Sequence, residues 1–277
     1  MLIAGRHKIC GFFAAAFFSA LCACVPLPED YVSPEGQVSL NAPAAGLDSD
    51  SVSKETAHFI ISAYSDIDSF ADELESLYES IMKETGLYSF VPAEPYRITV
   101  YRDSAEYHAK TGLTGWSGGA TYGNALLLYS GPAFVSSAAH EMSHLIFNEY
   151  MGLSKSVREY LWINEGLAVY METKSSQVAE AAYYRRLENN IVNNPIPFSQ
   201  MINLAPLNES GQTTDRWYAQ AWSVVSFMLQ KGGSFNFSVF LGRLKYGDSL
   251  DQALSYAYKD WQNLGKLEES WLLYINR

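Results

Sequence analysis

The stretch S-S-A-A-H-E-M-S-H-L-I-F-N-E-Y-M-G, Ser136–Gly152, decides the reading of this chain. Ala138, Ala139, Met142, Leu145 and Ile146 supply the apolar faces of a helix, and Gly152 closes it. Inside it, His140-Glu141-Met142-Ser143-His144 is an H-E-x-x-H motif. Residues four apart on a helix are offset by about 40° and one turn, so both imidazoles reach a single point beside it. Glu141 is turned by about 100° from His140. It faces the open side of a metal held by the two histidines and can take a proton from water there.

Zinc needs a third protein ligand and keeps a fourth position open. Leu161–Glu172, L-W-I-N-E-G-L-A-V-Y-M-E, supplies a candidate in Glu165. Twenty residues separate it from His144, enough for one helix to end, turn and return antiparallel. A carboxylate among Trp162, Ile163 and Leu167 is costly to bury without a cationic partner. Taken alone, Glu165 also reads as an exposed helix carboxylate, and the upstream motif decides for the ligand. The other histidines outside the N-terminal leader, His58 and His108, read as structural or surface residues.

H-E-M-S-H followed by W-I-N-E-G-L-A-V-Y resembles the gluzincin metallopeptidases, the thermolysin-like and aminopeptidase-N-like enzymes. The chain is most similar to the compact peptidase-MA-like bacterial domain, over most of residues 55–275. The resemblance implies one zinc ion and hydrolysis of a peptide bond. His140, His144 and Glu165 become its ligands and Glu141 the general base and proton shuttle. It also implies that Tyr218, in Y-A-Q-A-W (Tyr218–Trp222), steadies the oxyanion, for which a phenol donor is suited. Gly118, Gly119 and Ala120 fall where such enzymes place the edge strand that pairs with an extended substrate, and glycine lets a second backbone approach. Aminopeptidase-like members hold the substrate amine with a glutamate in that strand. Gly118–Asn124, G-G-A-T-Y-G-N, has no acid, which favours an endopeptidase. A binding protein keeping the fold without turnover, and a zinc amidase acting on cell wall, are the alternatives.

Outward from this centre, strands first and helices afterwards predict an α+β fold with a small N-terminal mixed sheet and a helical C-terminal half, and the resemblance implies that it is zincin-like. Strands are expected at His58–Tyr64 and Arg97–Tyr101, and a strand or hairpin at Ala120–Ser130. Phe70, Leu74, Leu77, Tyr78 and Ile81 predict a helix capped by Asp68 or Ser69 and closed by Gly86. A short helix is expected around Ser104–Lys110. Further helices are expected at about Ala133–Met151, Val157–Thr173, Trp217–Gln230, Phe235–Lys245, Ser249–Tyr258 and Leu264–Asn276.

The 277 residues accommodate one sizeable domain after a targeting segment. Arg6, His7 and Lys8 precede an apolar run, Ile9–Ala23, too short to span a bilayer, so residues 1–23 read as a signal peptide. Leu21-Cys22-Ala23-Cys24 resembles a bacterial lipobox with Cys24 as the lipidated residue. Cleavage near Ala23 without lipidation is the alternative. Residues 24–52, rich in Pro, Gly, Ser and Asp, read as a flexible tether and 53–277 as the metallopeptidase domain. The expected location is the cell envelope, with the lipid anchor in a membrane.

All three cysteines lie in or at the end of the leader, so the domain has neither a disulfide nor a cysteine nucleophile. Loss of Arg6 and Lys8 with residues 1–23 takes the net charge from −11 to −13. So acidic a chain argues against nucleic-acid binding.

Overall fold

A computed structural model describes residues 46–113, 117–152, 158–204 and 211–276. The expected signal peptide, Cys24 and the expected tether up to residue 45 lie outside them. Five strands form one mixed sheet: β1 (Val52–Glu55), β2 (Phe59–Ala63), β3 (Tyr96–Tyr101), β4 (Ala120–Tyr122) and β5 (Ala125–Tyr129). The spatial order is β1-β2-β3-β5-β4. The central pairs β2/β3 and β3/β5 are parallel, and the outer strands β1 and β4 run antiparallel to their neighbours. β4 and β5 form a hairpin across Gly123-Asn124, with Gly123 at φ 59°, a backbone region open to glycine. The α+β expectation and the placement of the sheet before the helices both hold.

Alternation sets the two faces of this sheet. Phe59 and Ile61 on β2, Tyr96, Ile98 and Val100 on β3, and Leu126 and Leu128 on β5 face the main core. Tyr101 and Leu127 point the other way and meet Tyr107 of α2 (Ser104–Thr111). On the core side lies α1 (Ile67–Thr85), whose Phe70, Leu74, Leu77, Tyr78 and Ile81 are buried and which ends at Gly86. Its start differs from the expected cap. Asp66 occupies that position in the left-handed region with no side-chain cap, and Asp68 instead pairs with Lys54 at 2.6 Å.

The centre of the molecule is a stack of three helices: α3 (Phe134–Met151), α4 (Leu161–Ser175) and α7 (Gly211–Phe227). A 3-10 turn, Arg158–Tyr160, leads into α4, so the second motif helix begins later than the sequence suggests. α3 is buried almost all round from Ser137 to Phe147, and α4 from Trp162 to Thr173. Such helices need apolar residues on every face, and their few buried polar groups then need partners. Gly166 is where α4 and α7 touch backbone to backbone: a Cβ there would stand 2.5 Å from the Ala221 carbonyl oxygen. Five further helices, α5 (Gln177–Arg186), α6 (Phe198–Met201), α8 (Ser234–Lys245), α9 (Leu250–Ala257) and α10 (Leu264–Ile275), close the helical half. Among the described residues no helix is long and apolar enough to cross a membrane.

Candidate metal centre

α3 and α4 carry the buried histidines and carboxylates of the core. His140 and Glu141 are fully buried, and Glu165 is 1 % exposed. The two imidazoles sit one turn apart on α3, with ring centroids 5.0 Å from each other. Glu165 meets them from α4, and the ligand atoms of His140, His144 and Glu165 all lie within 4.8 Å of one another. His144 Nε2 is 3.6 Å from Glu165 Oε2. That is near the roughly 3.4 Å edge of a tetrahedron with ligands about 2.1 Å from its centre.

The outer nitrogens explain why the inner ones face this point. His140 Nδ1 lies 3.0 Å from Glu172 Oε2. His144 Nδ1 lies 2.8 Å from Asn164 Oδ1, and the Asn164 amide donates to Asn148 Oδ1 at 3.1 Å. A carboxylate only accepts, and Asn164 has its amide nitrogen committed, so each Nδ1 carries the proton. The lone pair of each imidazole is then left on Nε2. His140 Nε2, His144 Nε2 and Glu165 Oε2 are buried with no hydrogen-bond partner among the described residues. Three buried, inward-facing acceptors at one point need positive charge between them, from a metal ion or from protons.

The electrostatics carry the same message. Burial pushes the Glu165 carboxyl up to about 8, with the nearby His140 opposing and Glu141 adding to the rise. Burial also works against a charge on His140, but the bond to Glu172, with Glu141 and Glu165 nearby, raises it to about 9. Burial and the neighbouring His140 lower His144 to about 3. Protons thus take the place of positive charge in a pocket lined by carboxylates. Two imidazole nitrogens and one carboxylate oxygen form the donor set of catalytic zinc sites with an open fourth position.

The model of the Peptidase MA superfamily matches residues 77–277. The chain belongs to the Peptidase MA superfamily. With its buried histidine pair and Glu165, this member of the superfamily is a metallopeptidase. No curated protein matches the chain.

Around this centre the other expected residues fall as follows. Glu141 stays on the α3 face beside the metal group, within electrostatic reach of His140 and Glu165. β4 is an edge strand, and Gly119, just before it, abuts Glu141: a Cβ there would stand 2.9 Å from Glu141 Cγ. Gly119 therefore borders the helix that carries Glu141. Tyr218 is buried on α7, edge-on to Trp217 and one turn before Ala221, the residue that touches Gly166. His58 pairs with Glu75 at 2.6 Å and stacks on Tyr78, while His108 lies against Tyr107 and Tyr129. Neither joins the metal group. Sequence reasoning missed Glu172, Asn164 and Asn148. The available signal was Glu172 standing seven residues, two helical turns, after Glu165 on the same face of α4.

Proposed function

We propose that the protein is a zinc-dependent endopeptidase of the cell envelope, with His140, His144 and Glu165 holding one zinc ion. The observation that carries this reading is the convergence of three buried acceptor atoms whose histidines are clamped from behind by Glu172 and Asn164. When bound there, zinc supplies Lewis acidity, which acidifies water and polarises a carbonyl.

The remaining chemistry belongs to the chain. Glu141 takes the proton from the attacking water and hands it to the leaving nitrogen, acting first as base and then as acid. The Tyr218 hydroxyl donates to the oxygen on which negative charge develops. An extended substrate lies along Gly118, Gly119 and Ala120 and adds a strand to the open edge of β4. With no acidic residue in Gly118–Asn124 to clamp a free amine, internal bonds are the substrate. Cys24, lipidated, tethers the domain to a membrane.

Glu141→Gln tests the assignment, because it keeps the shape and removes the base. The variant should bind zinc at wild-type stoichiometry and lose at least about 1000-fold in kcat on casein or an amine-blocked peptide. Near-wild-type turnover would refute the role of Glu141. Activity confined to peptides with a free amino end would refute the endopeptidase reading.

A further inference from the structure

The stretch leading into β4 carries a hydrogen-bonded relay that the chemistry above does not use. Tyr107 of α2 is fully buried against Tyr101, Leu127 and Tyr129. Its hydroxyl lies 2.8 Å from Ser117 Oγ, and Ser117 Oγ donates to the Gly119 carbonyl at 2.8 Å. Serine has one proton to give. With that proton on Gly119, the phenol is the donor between Tyr107 and Ser117. The relay runs one way, from Tyr107 through Ser117 to the Gly119 carbonyl, and in a dry setting each bond polarises the next.

What the relay grips is a backbone with no side chain, pressed against the base. A Cβ on Gly119 would meet Glu141 Cγ and Leu128 Cδ2 at 2.9 Å and the Leu127 carbonyl oxygen at 3.3 Å. Gly119 is thus one wall of the space that the Glu141 side chain occupies. The wall is fixed on one side by the relay and on the other by the pairing of Ala120 with Leu127. The relay also occupies the Gly119 carbonyl with a bond inside the protein.

We propose that Tyr107 and Ser117 are positioning residues for Glu141: they hold Gly119 against it and so fix the gap between β4 and α3. The inference rests on the metallopeptidase reading with Glu141 as base. Small displacements of a reacting group lower turnover steeply, by up to about 100-fold for 1 Å. Removal of a single oxygen from the relay is expected to cost about tenfold in kcat.

The test compares zinc-loaded wild type with Ser117→Ala, Tyr107→Phe and the double variant. On one quenched fluorescent peptide, kcat should fall about tenfold in each single variant while KM stays within about twofold. The double variant should be no worse than either single one, as befits one relay. Zinc content and the fraction folded should be unchanged, and amide exchange over Gly118–Tyr122 should quicken in all three. The proposal is overturned if exchange over that segment is unchanged. It is equally overturned if kcat is retained, or falls only with zinc content or folded fraction. A wild type that cuts no peptide would instead defeat the peptidase reading, and the exchange result would still decide whether the relay holds Gly119.

Discussion

At the scale of single residues, the metal group is a problem of aiming. An imidazole offers two nitrogens, and only one can face the metal. Glu172 accepts a hydrogen bond from the Nδ1–H of His140 and Asn164 one from that of His144. Partners of this kind fix ring orientation and raise ligand basicity, and their removal weakens metal binding by about 10–100-fold. Glu172→Gln and Asn164→Leu should each weaken zinc affinity by that order in a competition assay with a chromogenic chelator, with the fold intact. Unchanged affinity in both would show that burial alone orients the rings. The histidines and Glu141 were legible in the sequence because helix geometry forces their spacing, and Glu165 because its distance from that motif, its apolar context and the family resemblance point the same way. Glu172 and Asn164 were harder to see, since a second carboxylate or an amide on a helix usually points to solvent. Only the burial of α4 on every side turns them inward.

At the scale of elements, the site depends on how closely three helices stack. α3 and α4 run antiparallel, as the pairing of His140 with Glu172 and of His144 with Asn164 requires. α4 in turn rests on α7 through Gly166, next to Glu165. Gly166→Ala would drive a methyl group into the Ala221 carbonyl, which a rigid core accommodates only by separating the helices. Thermal melts should show a loss of about 1–3 kcal/mol, the usual cost of overpacking, together with reduced zinc affinity. A stable variant with full affinity would mean that α7 does not support the metal group. The helices that carry chemistry were readable from their apolar spacing; two kinds of element were not. β1, V-S-K-E, has no buried residue and is a strand only because β2 offers it an edge. α5, Q-V-A-E-A-A-Y-Y-R-R, buries only Tyr183 and presents no apolar stripe. In both, neighbours rather than local pattern decide the structure.

At the scale of the whole molecule, the domain is a sheet and a helical half joined through a core that contains its own metal-binding cluster. No cysteine lies between residues 46 and 276, so no disulfide contributes there. A cation bound to the folded state alone stabilises it by mass action, by about 4 kcal/mol at a free concentration 1,000 times Kd. Chelation should therefore lower Tm by several degrees, zinc should restore it, and reducing agent should leave it unchanged. A Tm indifferent to chelation would mean that the buried cluster holds no metal in the folded protein. Zinc bound at that cluster is tested most directly by X-ray absorption at the zinc edge on metal-loaded protein, alongside Glu165→Gln. One zinc per chain, with two imidazole nitrogens and a carboxylate oxygen at about 2.0–2.2 Å, is the expected result, the carboxylate contribution being altered in the variant. A zinc shell without imidazole, or one untouched by Glu165→Gln, would contradict it.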